Sequence, residues 1–180
     1  MRLVLASAIA LQAFAFAPAV YAAGGNDTRP PKTTNTTKKC LFGRVYDKDR
    51  GRCVKPDKTS FSEDELYSAV RELAYDGQFE NAQSILRIMD QDDDRVQTYW
   101  GFTFRKMGKL ELANAYYQDA IKTNPDNILA RSYMAQGFVA AGKTDLAIEQ
   151  WREIKARGGE GTWAEASLRE AIRTGLTFNY

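Results

Sequence analysis

The 180-residue sequence contains no histidine and only two cysteines. Without histidine, the chain lacks the commonest general base of enzymes, the usual Ser–His and Cys–His pairs, and the commonest metal ligand. Beyond the first 22 residues, no stretch is apolar and long enough to cross a bilayer. We therefore expect a chain with no catalytic site, no cofactor, no bound metal and no membrane span in its mature form.

The N-terminus has the layout of a secretory leader. Arg2 is followed by an almost entirely apolar run over residues 3–17, and small residues stand three places and one place before a cut after Ala22. The run is shorter than the roughly 20 residues that a membrane span requires. We expect residues 1–22 to be a signal peptide cleaved near Ala22, which predicts a periplasmic or secreted protein.

The segment after this leader is polar and basic. Residues 23–39 consist mainly of Gly, Pro, Thr, Asn and Lys, and are predicted to be a disordered linker. Residues 23–59 contain ten Lys or Arg against four Asp or Glu, a charge of +6, whereas residues 60–180 contain 14 against 19, a charge of −5. Three interpretations stay open for residues 23–58: contact with an anionic envelope polymer, docking on the chain's own domain, or a solvated linker. The acidic larger part and the exported location disfavour nucleic acid as a partner.

Residues 40–58 predict a small β-hairpin. Strand-prone pairs at 45–46 and 53–54 flank a segment rich in turn formers. In an oxidising compartment Cys40 and Cys53 should form a disulfide, which would stabilise the hairpin by roughly 3 kcal/mol. The stretch is also similar to part of the small chitin-binding modules, although it has fewer cysteines, through Cys40, Gly43, Tyr46, Asp47 and Cys53. This similarity implies an alternative function: an envelope glycan-binding protein that uses the basic arm and the Cys40–Cys53 module.

A helical period begins after the hairpin. Residues 62–65 form a capping box, in which the Ser62 side chain can accept from the amide three residues on. Gly77 is expected to end this first helix, and a second is expected over residues 79–89. The apolar residues expected to face the core are Leu66, Ala69, Val70, Leu73, Ala82, Ile85, Leu86 and Met89.

Two later segments repeat one pattern at a distance of 34 residues. The equivalent pairs are Phe104 and Phe138, Gly108 and Gly142, Ala113 and Ala147, and Tyr117 and Trp151. In each segment a glycine ends one helix, and a small residue early in the next helix lets the two approach closely. A fixed period of this length predicts helical hairpins that stack side by side.

This pattern resembles the tetratricopeptide repeat (TPR) family. Residues 94–127 match the family best, while residues 128–161 have Ala135 for an expected Gly and Gly159 for an expected Pro. The resemblance implies an all-α, TPR-like helix-turn-helix solenoid over residues 62–175, preceded by the disulfide-closed hairpin. The solenoid would comprise repeats 63–93, 94–127 and 128–161, of which the first is three residues short, and a capping helix over 162–174.

The resemblance also implies a binding surface, because the first helices of such repeats line a concave groove. The positions expected to face this groove are Tyr67, Arg71, Tyr75, Thr98, Phe102, Arg105, Lys106, Ser132 and Gln136. Aromatic side chains beside Arg and Lys suit a protein or peptide partner with apolar anchors and acidic groups. The implied function is a non-catalytic protein–protein interaction adaptor of the cell envelope. For each of these residues the open alternative is packing between repeats.

Overall fold

A computed structural model of the protein describes residues 28–177, so the predicted signal peptide at residues 1–22 lies outside the described residues. Within residues 28–177 the chain is mostly helical, with eight helices and one two-stranded sheet. In chain order the elements are α1 (Asn35–Lys39), β1 (Val45–Asp47), β2 (Arg52–Val54), α2 (Glu63–Tyr75), α3 (Phe79–Leu86), α4 (Asp94–Lys106), α5 (Leu110–Thr123), α6 (Ile128–Ala140), α7 (Thr144–Ala156) and α8 (Trp163–Thr174). Of these helices, none combines the length and the apolar character that crossing a bilayer would need.

The predicted hairpin and its disulfide are confirmed. Strands β1 and β2 pair in antiparallel register, with Val45 opposite Val54 and Asp47 opposite Arg52. The Cys40–Cys53 bridge links the residue after α1 to the second strand. Val45 is buried in the same apolar cluster as residues of α2 and α3, so the hairpin packs on the helical part of the chain. This packing, together with the disulfide, is what a two-stranded sheet needs for stability.

The prediction of a disordered linker over residues 23–39 is wrong for its last part. Residues 35–39 form helix α1, whose N-cap Thr34 accepts a hydrogen bond from the Thr36 amide. The reason lies in Glu72 of α2, which is only 5% exposed. Its carboxylate accepts four hydrogen bonds at 2.5–3.2 Å, from the backbone amides and the hydroxyls of Thr34 and Thr37. A buried carboxylate needs such donors, and it fixes the polar segment on α2.

The helix boundaries follow local capping rules. The capping box of Ser62 and Glu65 starts α2 as predicted. Thr162 accepts from the Glu165 amide at the start of α8. Helix α3 ends at Leu86 rather than at the predicted residue 89, since the amides of Ile88 and Met89 bond to carbonyls three residues earlier instead of four. The Gln91 side-chain amide donates to the carbonyls of Leu86 and Met89. All eight residues expected to face the core in α2 and after it are buried.

The helices pack in consecutive pairs: α2 with α3, α4 with α5, and α6 with α7, while α8 packs on α6 and α7. Helices α2, α4, α6 and α8 also form a row in which each contacts the next; we call it the even row. Gly108 and Gly142, with φ of 78° and 70°, allow the tight turns inside two of the pairs. Gly101 lets α5 approach α4 closely, since a Cβ there would lie 2.6 Å from the buried Tyr117 ring.

Candidate partner-binding face

An aromatic cluster joins three helices of the even row. Tyr67 of α2 meets Tyr99 of α4 edge to face at 5.6 Å between ring centroids. Phe102 of α4 lies 4.8 Å from Tyr133 of α6 and 5.7 Å from Tyr99. All four side chains are buried, and burial raises the pKa of Tyr67 well above its ordinary value. Tyr67 and Phe102, which were expected to face a ligand, therefore form part of the core that supports the face.

Four cationic groups lie over the rings of this cluster. The guanidinium carbons of Arg71 and Arg95 are 5.8 Å and 4.9 Å from the centroid of the Tyr67 ring. Arg105 and Lys106 are each 5.6 Å from the centroid of the Phe102 ring. Cations in this position are attracted by the ring quadrupole. We call this surface of α2 and α4 the α2–α4 face. It consists of the buried aromatic rings and the cationic groups that lie over them.

Arg95 was absent from the predicted set, although it belongs to this cationic layer. Its guanidinium binds Asp93 at 2.7 Å and Asp64 at 2.8 Å, and the hydrogen bond to Asp93 is the main cause of its raised pKa. Asp93 is also the N-cap of α4, where its carboxylate accepts a hydrogen bond from the Arg95 amide. Arg95 is therefore held in a fixed ion pair. Lys106, on the same helix, lines a pocket.

The pocket beside Lys106 lies where α2 and α4 end. It has a volume of about 360 Å³, within the roughly 300–1,000 Å³ that is usual for ligand sites. Its lining residues are Ala74, Tyr75, Asp76, Gly77, Phe79, Phe102 and Lys106. Burial lowers the pKa of Lys106 to about 8, and the neighbouring Arg105 contributes in the same direction. The structure thus brings three of the predicted residues, Tyr75, Phe102 and Lys106, to one pocket.

Arg71 contacts the N-terminal arm of the chain. Its guanidinium donates a hydrogen bond to the backbone carbonyl of Arg29. The arm residues, including Pro30 and Pro31, line a hollow of about 380 Å³ together with Arg71 and Glu72. Of the three interpretations of the basic arm, the docking on its own domain is therefore the one that residues 29–39 adopt. Sequence reasoning missed Glu72, since its hydrogen-bond partners lie 35 and 38 positions earlier.

The remaining predicted residues, Thr98, Ser132 and Gln136, are buried in the described structure. The Thr98 hydroxyl donates to the Asp94 carbonyl and accepts from Asn127 Nδ2 at 2.9 Å. The Ser132 hydroxyl donates to the Ala164 carbonyl at 2.8 Å, and the Gln136 amide lies 3.5 Å from Ser132 Oγ. The expectation that these three face a groove is corrected: Thr98 and Ser132 bond to residues at the start of the next helix of the even row, and Gln136 is buried beside Ser132.

Residues 137–144 match the sequence motif of a phosphate-binding loop but do not have the structure of one. Residues 137–144 read GFVAAGKT, which fits the GxxxxGK[ST] pattern. A phosphate-binding loop of that kind connects a strand to a helix, whereas the first four residues of this stretch lie in α6. Their amides are engaged in helical hydrogen bonds, so they cannot converge on a phosphate. The match comes from the glycine turn between α6 and α7.

Among the residues that the structure describes, no group of three or more His, Cys, Asp or Glu side chains is placed to hold a metal ion. The buried Glu165 accepts a hydrogen bond from Trp151 Nε1 at 2.7 Å and pairs with Arg169, so it serves to connect α7 with α8.

Comparisons with protein-family models, with curated proteins and with solved structures found no match for this chain.

Proposed function

We propose that this chain is a non-catalytic interaction adaptor of TPR type, which binds a peptide or protein partner on its α2–α4 face. The observation that carries the proposal is the cation-covered aromatic cluster beside an open pocket, with Lys106 at the pocket and Arg105 next to it. A partner segment with an apolar side chain and a nearby carboxylate would match this surface, because the pocket is partly apolar and Lys106, with Arg105 next to it, supplies positive charge on the side formed by α4. Asp76 lines the side of the pocket formed by the end of α2.

The packing of the helices supports the TPR-type interpretation. The pairs α4–α5 and α6–α7 correspond to the two segments that repeat with a 34-residue period, and both turn at a glycine with positive φ. The even row has the same neighbour relation from α2 to α8, as expected when each hairpin contacts only its neighbours. The contact between Gly101 and Tyr117 brings α4 and α5 close together, as a tightly packed helical hairpin of this type would need.

We further propose that the protein acts outside the cytoplasm, in a periplasm or in the extracellular space. The Cys40–Cys53 disulfide supports this location, because disulfides persist in oxidising compartments and are rare in the cytosol. The predicted leader over residues 1–22 agrees with it. A partner should accordingly be sought among exported proteins.

Site-specific photo-cross-linking in intact cells tests the proposal. A photoreactive amino acid replaces Tyr75, which lines the pocket, and in a matched control it replaces Leu112 on α5, which is 42% exposed. We expect one defined protein adduct from position 75 that is missing from position 112. Identical adducts from both positions, or none from position 75, would remove the proposed face.

A charge reversal then tests the recognition chemistry on the captured partner. Lys106→Glu should weaken binding at least tenfold, since it removes an attraction to a carboxylate and introduces a repulsion. Lys122→Glu makes the same charge change at an exposed position of α5 and should leave binding unchanged. Equal affinities for the two variants, with helicity preserved in both, would refute the role of Lys106.

A further inference from the structure

The turn after Cys40 projects two large apolar side chains into solvent. The Leu41 carbonyl accepts a hydrogen bond from the Arg44 amide at 3.2 Å, and Leu41 and Phe42 are 67% and 88% exposed. Phe42 has a φ of 56° and is the only non-glycine residue of the described chain with positive φ. That backbone region is unfavourable for a bulky residue, and Phe42 gains little burial in return. Strain of this kind is characteristic of functional positions.

The turn is fixed in place by its neighbours. Cys40, directly before it, is buried and disulfide-bonded to β2. Gly43, inside it, is packed so closely on α3 that a Cβ would lie 2.6 Å from Ser84 Oγ. A hollow of about 320 Å³ lies between Phe42 and the end of helix α3, and Pro56 and Ile88 contribute to its lining. The apolar tip is therefore preformed, and binding through it would require little further ordering.

Positive charge surrounds this tip. Four exposed cations lie on α1 or beside the hollow: Lys38, Lys39, Arg44 and Lys55. Residues 28–58 contain ten Lys or Arg against three Asp or Glu, a charge of +7, whereas residues 59–177 contain 14 against 19, a charge of −5. An anionic surface would attract the first part of the molecule and repel the second, and so orient the tip toward itself.

We propose that residues 41–44 and their surrounding cations dock this protein on the surface of an anionic lipid bilayer. Leu41 and Phe42 would enter the interfacial region, and the Lys and Arg side chains would contact headgroup phosphates. A bilayer fits better than a folded partner because the tip protrudes from the turn, and a deformable surface accepts a protrusion without a matching cleft. A soluble polyanion would use the charges and leave the apolar pair without a role. This inference is independent of the α2–α4 face.

Vesicle co-sedimentation tests the proposal with the exported form of the full chain. Its N-terminus is first established by intact mass, because an uncleaved apolar leader would bind lipid by itself. Phosphatidylcholine vesicles with and without phosphatidylglycerol serve as probes. We expect binding to the anionic vesicles alone, and a loss of roughly tenfold or more in Phe42→Asn, as burial of a phenylalanine side chain predicts. Asn accepts a positive φ, so this variant is expected to fold.

Two further variants separate the contributions. Leu176→Ser removes a leucine that is 71% exposed on the acidic part and should leave binding unchanged. Lys39→Gln should reduce binding to the anionic vesicles by roughly fivefold, as one basic residue near such a surface predicts. All variants are checked for the disulfide by mass and for helicity by circular dichroism.

Three results would overturn the proposal. The first is equal vesicle binding by the wild type and Phe42→Asn. The second is the absence of binding to anionic vesicles at low salt, with retention on pelleted peptidoglycan or chitin, which would assign the surface to a glycan. The third is a dimer in analytical ultracentrifugation that Phe42→Asn dissociates, which would assign the tip to a second copy of the chain.

Discussion

Replacing Gly101 with alanine tests whether the packing of α4 on α5 depends on the absence of a side chain. A Cβ at position 101 would lie 2.6 Å from two carbons of the Tyr117 ring and 3.0 Å from a third. Tyr117 is fully buried, and burial raises the pKa of its hydroxyl to about 12. Because protein interiors are close-packed, the ring has no open space into which it can move. The two helices must therefore separate, or the ring must leave its rotamer.

The magnitude follows from two opposing contributions. Overpacking of a core costs roughly 1–3 kcal/mol, and a contact of 2.6 Å belongs in the upper half of that range. Alanine in a helix interior is about 1 kcal/mol more favourable than glycine. We therefore expect Gly101→Ala to lower the free energy of unfolding by about 1–2 kcal/mol. For a chain of this size, each kcal/mol lowers Tm by roughly 2–4 °C.

Gly137 on α6 provides a matched control for the same substitution. A Cβ there would meet only Arg105 Cδ, at 3.3 Å, and a flexible side chain can move by a few tenths of an ångström. Gly137→Ala should therefore be neutral or stabilise the protein by up to about 1 kcal/mol. A second control, Gly101→Ala combined with Tyr117→Leu, removes the ring and should largely cancel the penalty specific to position 101, which a double-mutant cycle measures.

Urea and thermal unfolding, followed by far-ultraviolet circular dichroism, give the required stabilities. The expected order is Gly137→Ala at or above the wild type, and Gly101→Ala below it. If both alanine variants proved equally stable, or if the cycle showed no coupling between positions 101 and 117, the close approach of α4 and α5 would not exist. The repeat interpretation of residues 94–127 would then lose its structural basis.

Three other predictions concern the disulfide, the arm and the pocket. Reduction of the Cys40–Cys53 bond, or its replacement by two serines, should destabilise the hairpin by about 3 kcal/mol, seen as faster hydrogen exchange over 45–54 with little change in α4 to α8. Glu72→Ala should speed exchange in α1 and lower stability by about 1–3 kcal/mol, whereas the exposed Glu80→Ala should not; slow exchange of α1 in the Glu72 variant would contradict the anchoring role. The pKa of Lys106 falls from its ordinary 10.5 to about 8 on folding, so between these pH values the unfolded chain binds more protons and stability should rise with pH. A Lys106→Met variant should lack this rise in stability. Over the same pH interval, from about 8 to 10.5, binding of an acidic partner should weaken in the wild type and persist in Lys106→Arg.

Sequence patterns predicted the features that depend on near neighbours. The capping box of Ser62 and Glu65 is found as expected, because both partners lie in one helical turn. The glycine turn at Gly108 follows from a backbone requirement that few other residues meet. The Cys40–Cys53 pairing followed from an even cysteine count and the predicted export. These inferences need no knowledge of the tertiary structure.

Features fixed by distant contacts were not predictable in this way. Helix α1 is too short to be stable by itself and forms where Glu72, more than 30 positions later, binds its first turn. The burial of Phe102 depends on how closely α6 brings Tyr133 to it. The helical period gives the direction in which a side chain points, but the distance to the next helix decides whether that side chain faces solvent.

The two ends of the helical array limit how the molecule can grow. At one end the hairpin contributes Val45, and the loop before α2 contributes Phe61, to the core formed with the first helices. At the other, α8 covers α6 and α7 with Leu168 and Ala171 while it exposes Arg169 and Arg173. Within residues 28–177, the hairpin thus covers one end of the array, and a helix with an arginine-bearing outer side covers the other. An additional helical hairpin placed against α8 would have to bury these two arginines, whereas one inserted between existing hairpins would leave both covers in place.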